Sequence, residues 1–145
     1  MKRTLTIVAL ALLVGSCTSE ERQIERNAYG YLDAMGNYLI DQAEPYASEA
    51  TRNSTIVIVR DKIMPRVDKE LIRANTPATI SIDSLRILCA DTAMVYYTMA
   101  TPLSTKHDFL PMVKEDGQWL AYMPLNTTND PADGETPDNN AADAQ

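Results

Sequence analysis

Residues able to carry acid–base or metal chemistry are few in this sequence. His107 is the single histidine, and Cys17 and Cys89 are the two cysteines. A zinc site needs about four ligands, mostly cysteine and histidine, so no metal site is expected. His107 is predicted to lie in a loop between strands, where a lone histidine is more often solvated than a general base. We therefore expect no cofactor and assign no catalytic residue.

Cys89 ends the strongly apolar stretch at residues 85–89 (LRILC). In such surroundings a cysteine usually behaves as a small buried hydrophobic residue and not as a reactive thiol. The sequence therefore predicts a buried Cys89. If Cys17 is modified, Cys89 has no partner in the chain, so no disulfide is expected.

Tyrosine dominates the aromatic residues, with seven Tyr against one Phe and one Trp. Some could place hydroxyl groups around a pocket with apolar walls. These candidate pocket residues are Tyr31, Tyr38, Tyr96, Tyr97 and Tyr122. The alternative is that they are half-buried packing residues whose hydroxyls reach water, since no catalytic partner accompanies them.

Residues 1–16 have the pattern of a secretory signal. The first three residues are cationic, and residues 4–16 are uncharged and mostly apolar. A membrane-spanning helix needs about 20 apolar residues, so this segment is too short to span, and the polar run at 18–22 stops its extension. Residues 14–17 (VGSC) resemble the bacterial lipobox, in which two small residues precede a cysteine that receives a diacylglyceryl group. Gly15 is less usual there than Ala or Ser.

The lipobox resemblance implies cleavage before Cys17, lipid on its thiol, and the membrane as a partner. Thr18 follows the cysteine in place of the Asp that retains lipoproteins at the inner membrane. Glu20 and Glu21 resemble a short surface-export signal of lipoproteins in gut Gram-negative bacteria. The expected location is therefore the bacterial cell envelope, at the outer membrane and extending to the cell surface.

The charge balance argues against nucleic acid as a partner. The formal net charge is −7, from 13 basic and 20 acidic residues. Removing residues 1–16 takes away two basic residues and leaves 11 against 20, a net charge of −9. An acidic body of this kind repels phosphate backbones.

The middle of the chain predicts helices. Six apolar residues recur at helical spacing: Ile24, Ala28, Tyr31, Leu32, Met35 and Leu39. Gly36 is expected to end this helix, and Asn37 to cap a second one over 38–48 that Pro45 kinks or shortens. Residues 51–75 contain a strand-like β-branched run, but apolar spacing over the longer window favours a helix bent near Pro65.

The second half predicts an antiparallel meander. Period-two spacing begins at Ala78 and slips at residues 83–84, which predicts a β-bulge. Further strands are expected at 93–101, 109–114 and 118–123, and Asp116-Gly117 predicts a tight hairpin turn. Residues 126–145 lack Lys, Arg and large apolar side chains, so a disordered acidic tail is expected.

Helices followed by a meander predict one α+β domain over residues 23–125, joined to the anchor by a tether at 17–22. Residues 28–38 (AYGYLDAMGNY) and 113–119 (VKEDGQW) resemble a family of small bacterial lipoproteins of unknown function, with Asn37 where Asp is usual. The resemblance covers about residues 21–123. It implies a cystatin-like, nuclear transport factor 2-like roll, with N-terminal helices packed on a strongly bent antiparallel sheet.

Three functions stay open on these observations. The first is a non-enzymatic envelope module that binds a small ligand or a protein partner. The second is an isomerase or dehydratase that uses a pocket in the roll. The third is an interaction module that forms a homodimer through its open sheet face. In addition, Ser84 and Thr92 lie in short Asp-Ser/Thr-apolar patterns that resemble periplasmic O-glycosylation sites.

Overall fold

The computed structural model describes residues 14–125, with side chains from Ser19 onward. Most of the predicted signal segment and the predicted acidic tail lie outside the described residues. Within them, helices come first and a four-stranded antiparallel sheet follows, so the predicted α+β class is confirmed.

The helical half is one long helix followed by a series of short turns. The α-helices are α1 (Val14–Gly36), α2 (Ile40–Ala43), α3 (Glu49–Thr51) and α4 (Lys69–Ala74). Between α3 and α4 the chain is π-helical over Arg52–Ile56 and Val59–Ile63, and 3-10 turns cover Glu44–Tyr46 and Met64–Arg66. Helix α1 includes the residues predicted as a tether.

The helix predicted over residues 51–75 is confirmed, with its break next to Pro65. The 3-10 turn ends at Val67, whose backbone is extended, and the Asp68 side chain accepts the Glu70 N–H to cap α4. Most of this segment lies at the surface. Its residues Ile63 and Leu71 are exposed, whereas Ile56 is buried.

The second helix ends early, as we predicted from Pro45, but Asn37 does not cap it. Leu39 occupies the cap position of α2 without a side-chain hydrogen bond. Asn37 instead lies between α1 and the sheet, where its Oδ1 accepts the Ala78 N–H at 2.8 Å. Its Nδ2 donates to the Asp33 carbonyl at 2.9 Å. Asn37 thus holds the end of α1 against the start of the sheet.

The sheet is a meander in the order β1-β2-β3-β4. Its strands are β1 (Thr79–Cys89), β2 (Thr92–Ala100), β3 (Thr105–Glu115) and β4 (Gln118–Ala121). The register of β1 on β2 shifts between Ile82 and Ser84, which confirms the predicted bulge. Asp116 and Gly117 both have positive φ, at 50° and 77°, as the predicted hairpin turn requires.

The core lies between α1 and one face of the sheet, which we call the inner face. Trp119, Val95, Leu110 and Met112 on that face are almost fully buried, and Ile24 of α1 is buried with them. Most of the predicted α1 stripe is buried or half-buried. The prediction that Leu39 belongs to this stripe is wrong, because Leu39 lies beyond the end of the helix and is 44 % exposed.

The segment after β4 is tied to the helical half by three hydroxyl side chains. The Met123 N–H donates to Thr51 Oγ1 at 2.8 Å, and Thr55 Oγ1 donates to the Met123 carbonyl. The Leu125 N–H donates to Ser54 Oγ at 3.3 Å. Hydrogen bonding between this segment and the helices therefore continues up to residue 125.

Candidate functional site

The inner face is closed by a polar contact between α1 and the β3–β4 hairpin. Glu20 accepts hydrogen bonds from Lys114 Nζ at 2.9 Å and from Trp119 Nε1 at 3.0 Å. These bonds, that of Lys114 first, lower the pKa of Glu20 below its usual value. The Lys114 ammonium lies 5.7 Å from the Trp119 ring centroid. Trp119 is therefore held by packing on its ring and by a carboxylate on its N–H.

Two of the candidate tyrosines belong to this packed interior. Tyr31 of α1 and Tyr97 of β2 are buried in the core. Burial, followed by the proximity of Tyr97, raises the pKa of Tyr31 to about 12. Burial also raises the pKa of Tyr97. Both phenols therefore stay protonated at neutral pH and can donate a hydrogen bond but not act as bases.

The other three candidate tyrosines lie elsewhere, so the five do not line one pocket. Tyr38 is half-buried in the turn after α1, where its hydroxyl accepts a hydrogen bond from Asn75 Nδ2 at 2.9 Å. Tyr96 faces the opposite side of the sheet from its neighbour Tyr97. Tyr122 is exposed just after β4.

An open groove of about 410 Å³ lies between α1 and β1. Its walls are Arg22, Glu25, Arg26 and Tyr29 of α1, above Ile80 and Ile82 of β1. The groove contains none of the candidate tyrosines, and its polar residues alternate in charge along the helix. It is a shallow surface feature and not a pocket enclosed between the helices and the sheet.

The face of the sheet opposite α1, which we call the outer face, carries an exposed aromatic pair. Tyr96 on β2 is paired with Phe109 on β3, and the two ring centroids lie 6.4 Å apart at an interplanar angle of 54°. Tyr96 is 39 % exposed and Phe109 is 50 % exposed. Exposing large aromatic rings to water costs free energy, so an exposed cluster of such rings often marks a binding surface.

Next to this pair, the outer face carries a chain of polar side chains across three strands. Thr98 Oγ1 donates to Asp83 Oδ2 at 2.7 Å and lies 2.8 Å from His107 Nδ1. A hydroxyl has one proton, so when Thr98 donates to Asp83 the histidine must donate from Nδ1. In the neutral imidazole, His107 Nε2 is then left to accept a hydrogen bond from a ligand. We call Asp83, Thr98 and His107 the polar row.

The prediction that His107 lies in a loop is wrong. Strand β3 begins at Thr105, four residues earlier than expected, and pairs His107 with Thr98 of β2. Only residues 101–104 form the connection between the two strands. The signal that could have placed His107 in the strand is its period-two spacing from Phe109.

The prediction that Cys89 is buried is also wrong. Cys89 is exposed and lies 3.1 Å from Asp91 Oδ1 at the end of β1, an edge strand. A second register shift between Ile87 and Cys89 interrupts the pairing there, so the apolar composition of this stretch does not lead to burial. Ile87 and Leu88 are exposed for the same reason.

The two residues in glycosylation-like patterns differ in accessibility. Ser84 is exposed beside the bulge of β1, whereas Thr92 is half-buried at the start of β2 and its hydroxyl donates to Asp91 at 3.2 Å. Ser84 is therefore the more accessible hydroxyl. Modification of either residue stays a prediction.

Comparison of the chain with protein-family models, curated proteins and solved structures finds no match. Among residues 14–125, no helix is long and apolar enough to cross a membrane. The same residues contain no group of three or more His, Cys, Asp or Glu side chains that could hold a metal ion.

Proposed function

We propose that this chain is a lipid-anchored envelope protein whose α+β domain is a binding module and not an enzyme. The observation that carries the proposal is the contrast between a filled interior and an exposed aromatic and polar surface. Trp119, Ile24 and Met112 fill the space between α1 and the sheet, where a roll enzyme would need its pocket. Asp83, Thr98 and His107 lie outside this core, on the outer face.

The alternative is an isomerase or dehydratase acting inside the roll. It would need an accessible acid or base there, and Tyr31 and Tyr97 are the interior phenols with raised pKa values. Both are packed in the core, with exposed fractions of 4 % and 8 %. A substrate could reach them only if α1 moved away from the sheet, so this function is the less favoured.

The finer fold that we propose is the nuclear transport factor 2-like roll that the family resemblance implies. Its support is the helix-then-meander order and the Asp116-Gly117 hairpin that leads into buried Trp119. The hairpin lies in one of the two stretches that carry the resemblance.

The anchor is proposed from the sequence at residues 14–17 (VGSC), and its expected site is the outer membrane. The test is metabolic labelling with a radioactive fatty acid in a Gram-negative host. Cys17→Ser should abolish labelling and leave unprocessed precursor. Cys89→Ser is the matched control, because it also removes one thiol, and it should be labelled like the natural chain. Labelling that persists in Cys17→Ser would refute the anchor.

A further inference from the structure

We infer that the outer face of the sheet binds a neutral oligosaccharide, with a sugar ring on the Tyr96–Phe109 pair and its hydroxyls on the polar row. This inference specifies the ligand class of the proposed binding module. It does not depend on the lipid anchor, so the two can fail separately.

The aromatic pair suits the apolar face of a sugar ring. A pyranose presents C–H groups on its faces and hydroxyls around its rim, and an aromatic ring has a negative face that attracts such C–H groups. The rings of Tyr96 and Phe109 are tilted by 54°, so one can support the face of a sugar while the other contacts its side. Both rings are exposed and require no rearrangement to be reached.

The polar row supplies hydrogen-bonding groups of the mixed kind that hydroxyls need. Each sugar hydroxyl is both a donor and an acceptor, and Asp83 provides acceptor oxygens beside His107. Thr98 holds both side chains in place through bonds of 2.7 Å and 2.8 Å. Fixing these groups before binding lowers the entropy lost when a ligand binds.

The spacing of the two features matches the size of one sugar ring. Thr98 follows Tyr96 by two residues on β2, and His107 precedes Phe109 by two residues on β3. Two residues of a strand span about 6.6–6.8 Å. A ring centred on the aromatic pair therefore brings its rim hydroxyls to the polar row, while the next sugar of a chain would lie over the other side of the pair.

The charges disfavour an acidic ligand. Asp83 is a carboxylate at one end of the polar row, and the whole chain has a net charge of −7. A uronic or sialic acid residue would meet repulsion both locally and over the surface. An uncharged apolar peptide would remove water from the Asp83 carboxylate, and the hydrogen bond from Thr98 would replace only part of that hydration, which costs free energy.

The experiment is a titration of the full-length protein, held in a detergent without a sugar headgroup, with maltohexaose, cellohexaose and chitohexaose. Saturation-transfer NMR and calorimetry report binding, and hexagalacturonate is the acidic comparison. Because the face is open and shallow, the dissociation constant for at least one neutral hexasaccharide should be on the order of 0.1–1 mM.

Variants identify the surface. Tyr96→Ala and Phe109→Ala should each weaken binding about tenfold or more, as expected for loss of an aromatic hot spot, and His107→Ala should weaken it less. Leu71→Ala is the matched control, because it truncates an exposed apolar side chain on α4 and should leave the affinity unchanged. Circular dichroism should show all four variants folded.

Three results would overturn the inference. The first is no saturable binding of any neutral hexasaccharide at about 10 mM, well above the expected constant. The second is equal or tighter binding of hexagalacturonate. The third is a loss of self-association in Tyr96→Ala and Phe109→Ala, seen by sedimentation without any sugar binding, which would make the outer face a homodimer interface. Fatty-acid labelling of the natural chain would stand in each case.

Discussion

The two faces of the sheet place the same kinds of residue in different surroundings. Tyr96 and Tyr97 are adjacent on β2, yet Tyr97 is 8 % exposed in the core and Tyr96 is 39 % exposed on the outer face. The inner face has a tryptophan whose N–H is bound by Glu20, and the outer face has a histidine whose Nδ1 lies 2.8 Å from the Thr98 hydroxyl. The inner face therefore serves stability, and the outer face keeps its aromatic and polar groups available.

This difference explains why the tyrosine count misleads as a sign of a pocket. Successive side chains of a strand point to opposite faces. A run of two tyrosines thus supplies one residue to the core and one to the surface. Five tyrosines in the sequence could suggest a lined cavity, but the strand period and the turns place them in four different surroundings.

The largest effect should come from truncating the centre of the inner face. Trp119→Ala should lower the free energy of unfolding by about 3–5 kcal/mol, because it removes a large buried ring and leaves a cavity. Urea denaturation followed by circular dichroism measures the loss. In the natural protein the single tryptophan should also emit as a buried residue and resist iodide quenching. Solvent-like emission would contradict its placement.

A second loss of stability should appear only at high pH, and it comes from Tyr31 in the core against the inner face. The pKa of Tyr31 is about 12 in the folded protein, against 10.0 as the ordinary value. The unfolded chain therefore loses this proton first, so stability is intact below about pH 10 and falls as the pH rises towards 12. The full loss is about 2–3 kcal/mol. The unfolding midpoint of the natural chain should fall relative to that of Tyr31→Phe over this range. A constant difference between them would refute the shifted pKa.

A smaller effect should come from the hairpin that joins β3 to β4. Gly117 has φ +77°, and a Cβ at this position would meet no atom within 4 Å. Gly117→Val should therefore cost about 1–2 kcal/mol from backbone strain alone. Gly117→Asn is the matched control, because asparagine tolerates this conformation better, and its loss should be smaller. Equal losses in thermal unfolding would mean that strain is not the cause.

Much of the fold follows from local rules that the sequence displays. The hairpin depends on Asp116-Gly117, the bulge on the parity change around Asp83, and the helical break on Pro65. Each of these is decided by two or three neighbouring residues, so a single sequence is sufficient to predict it. The burial of Trp119 follows from its position two residues after the turn.

The predictions that failed depend on contacts far apart in the chain. Asn37 binds Ala78, 41 residues away, and no local pattern indicates that it serves the sheet in place of a helix cap. Cys89 is exposed beside the register shift between Ile87 and Cys89, which depends on how β1 pairs with β2. The polar row needs the register of three strands, so the site on the outer face could not be found from spacing within one strand.

The most direct test of the difference between the two faces compares Tyr96→Ala with Tyr97→Ala in urea unfolding. The two substitutions are chemically identical and one residue apart. Tyr97→Ala should lower the free energy of unfolding by about 3 kcal/mol or more, as is usual when a buried aromatic side chain is truncated. Tyr96→Ala should lower the free energy of unfolding by about 1 kcal/mol or less, because the Tyr96 ring contacts mainly solvent and the Phe109 ring. Equal losses, or a larger loss for Tyr96, would show that the outer face is part of the folding core and contradict its assignment as a binding surface.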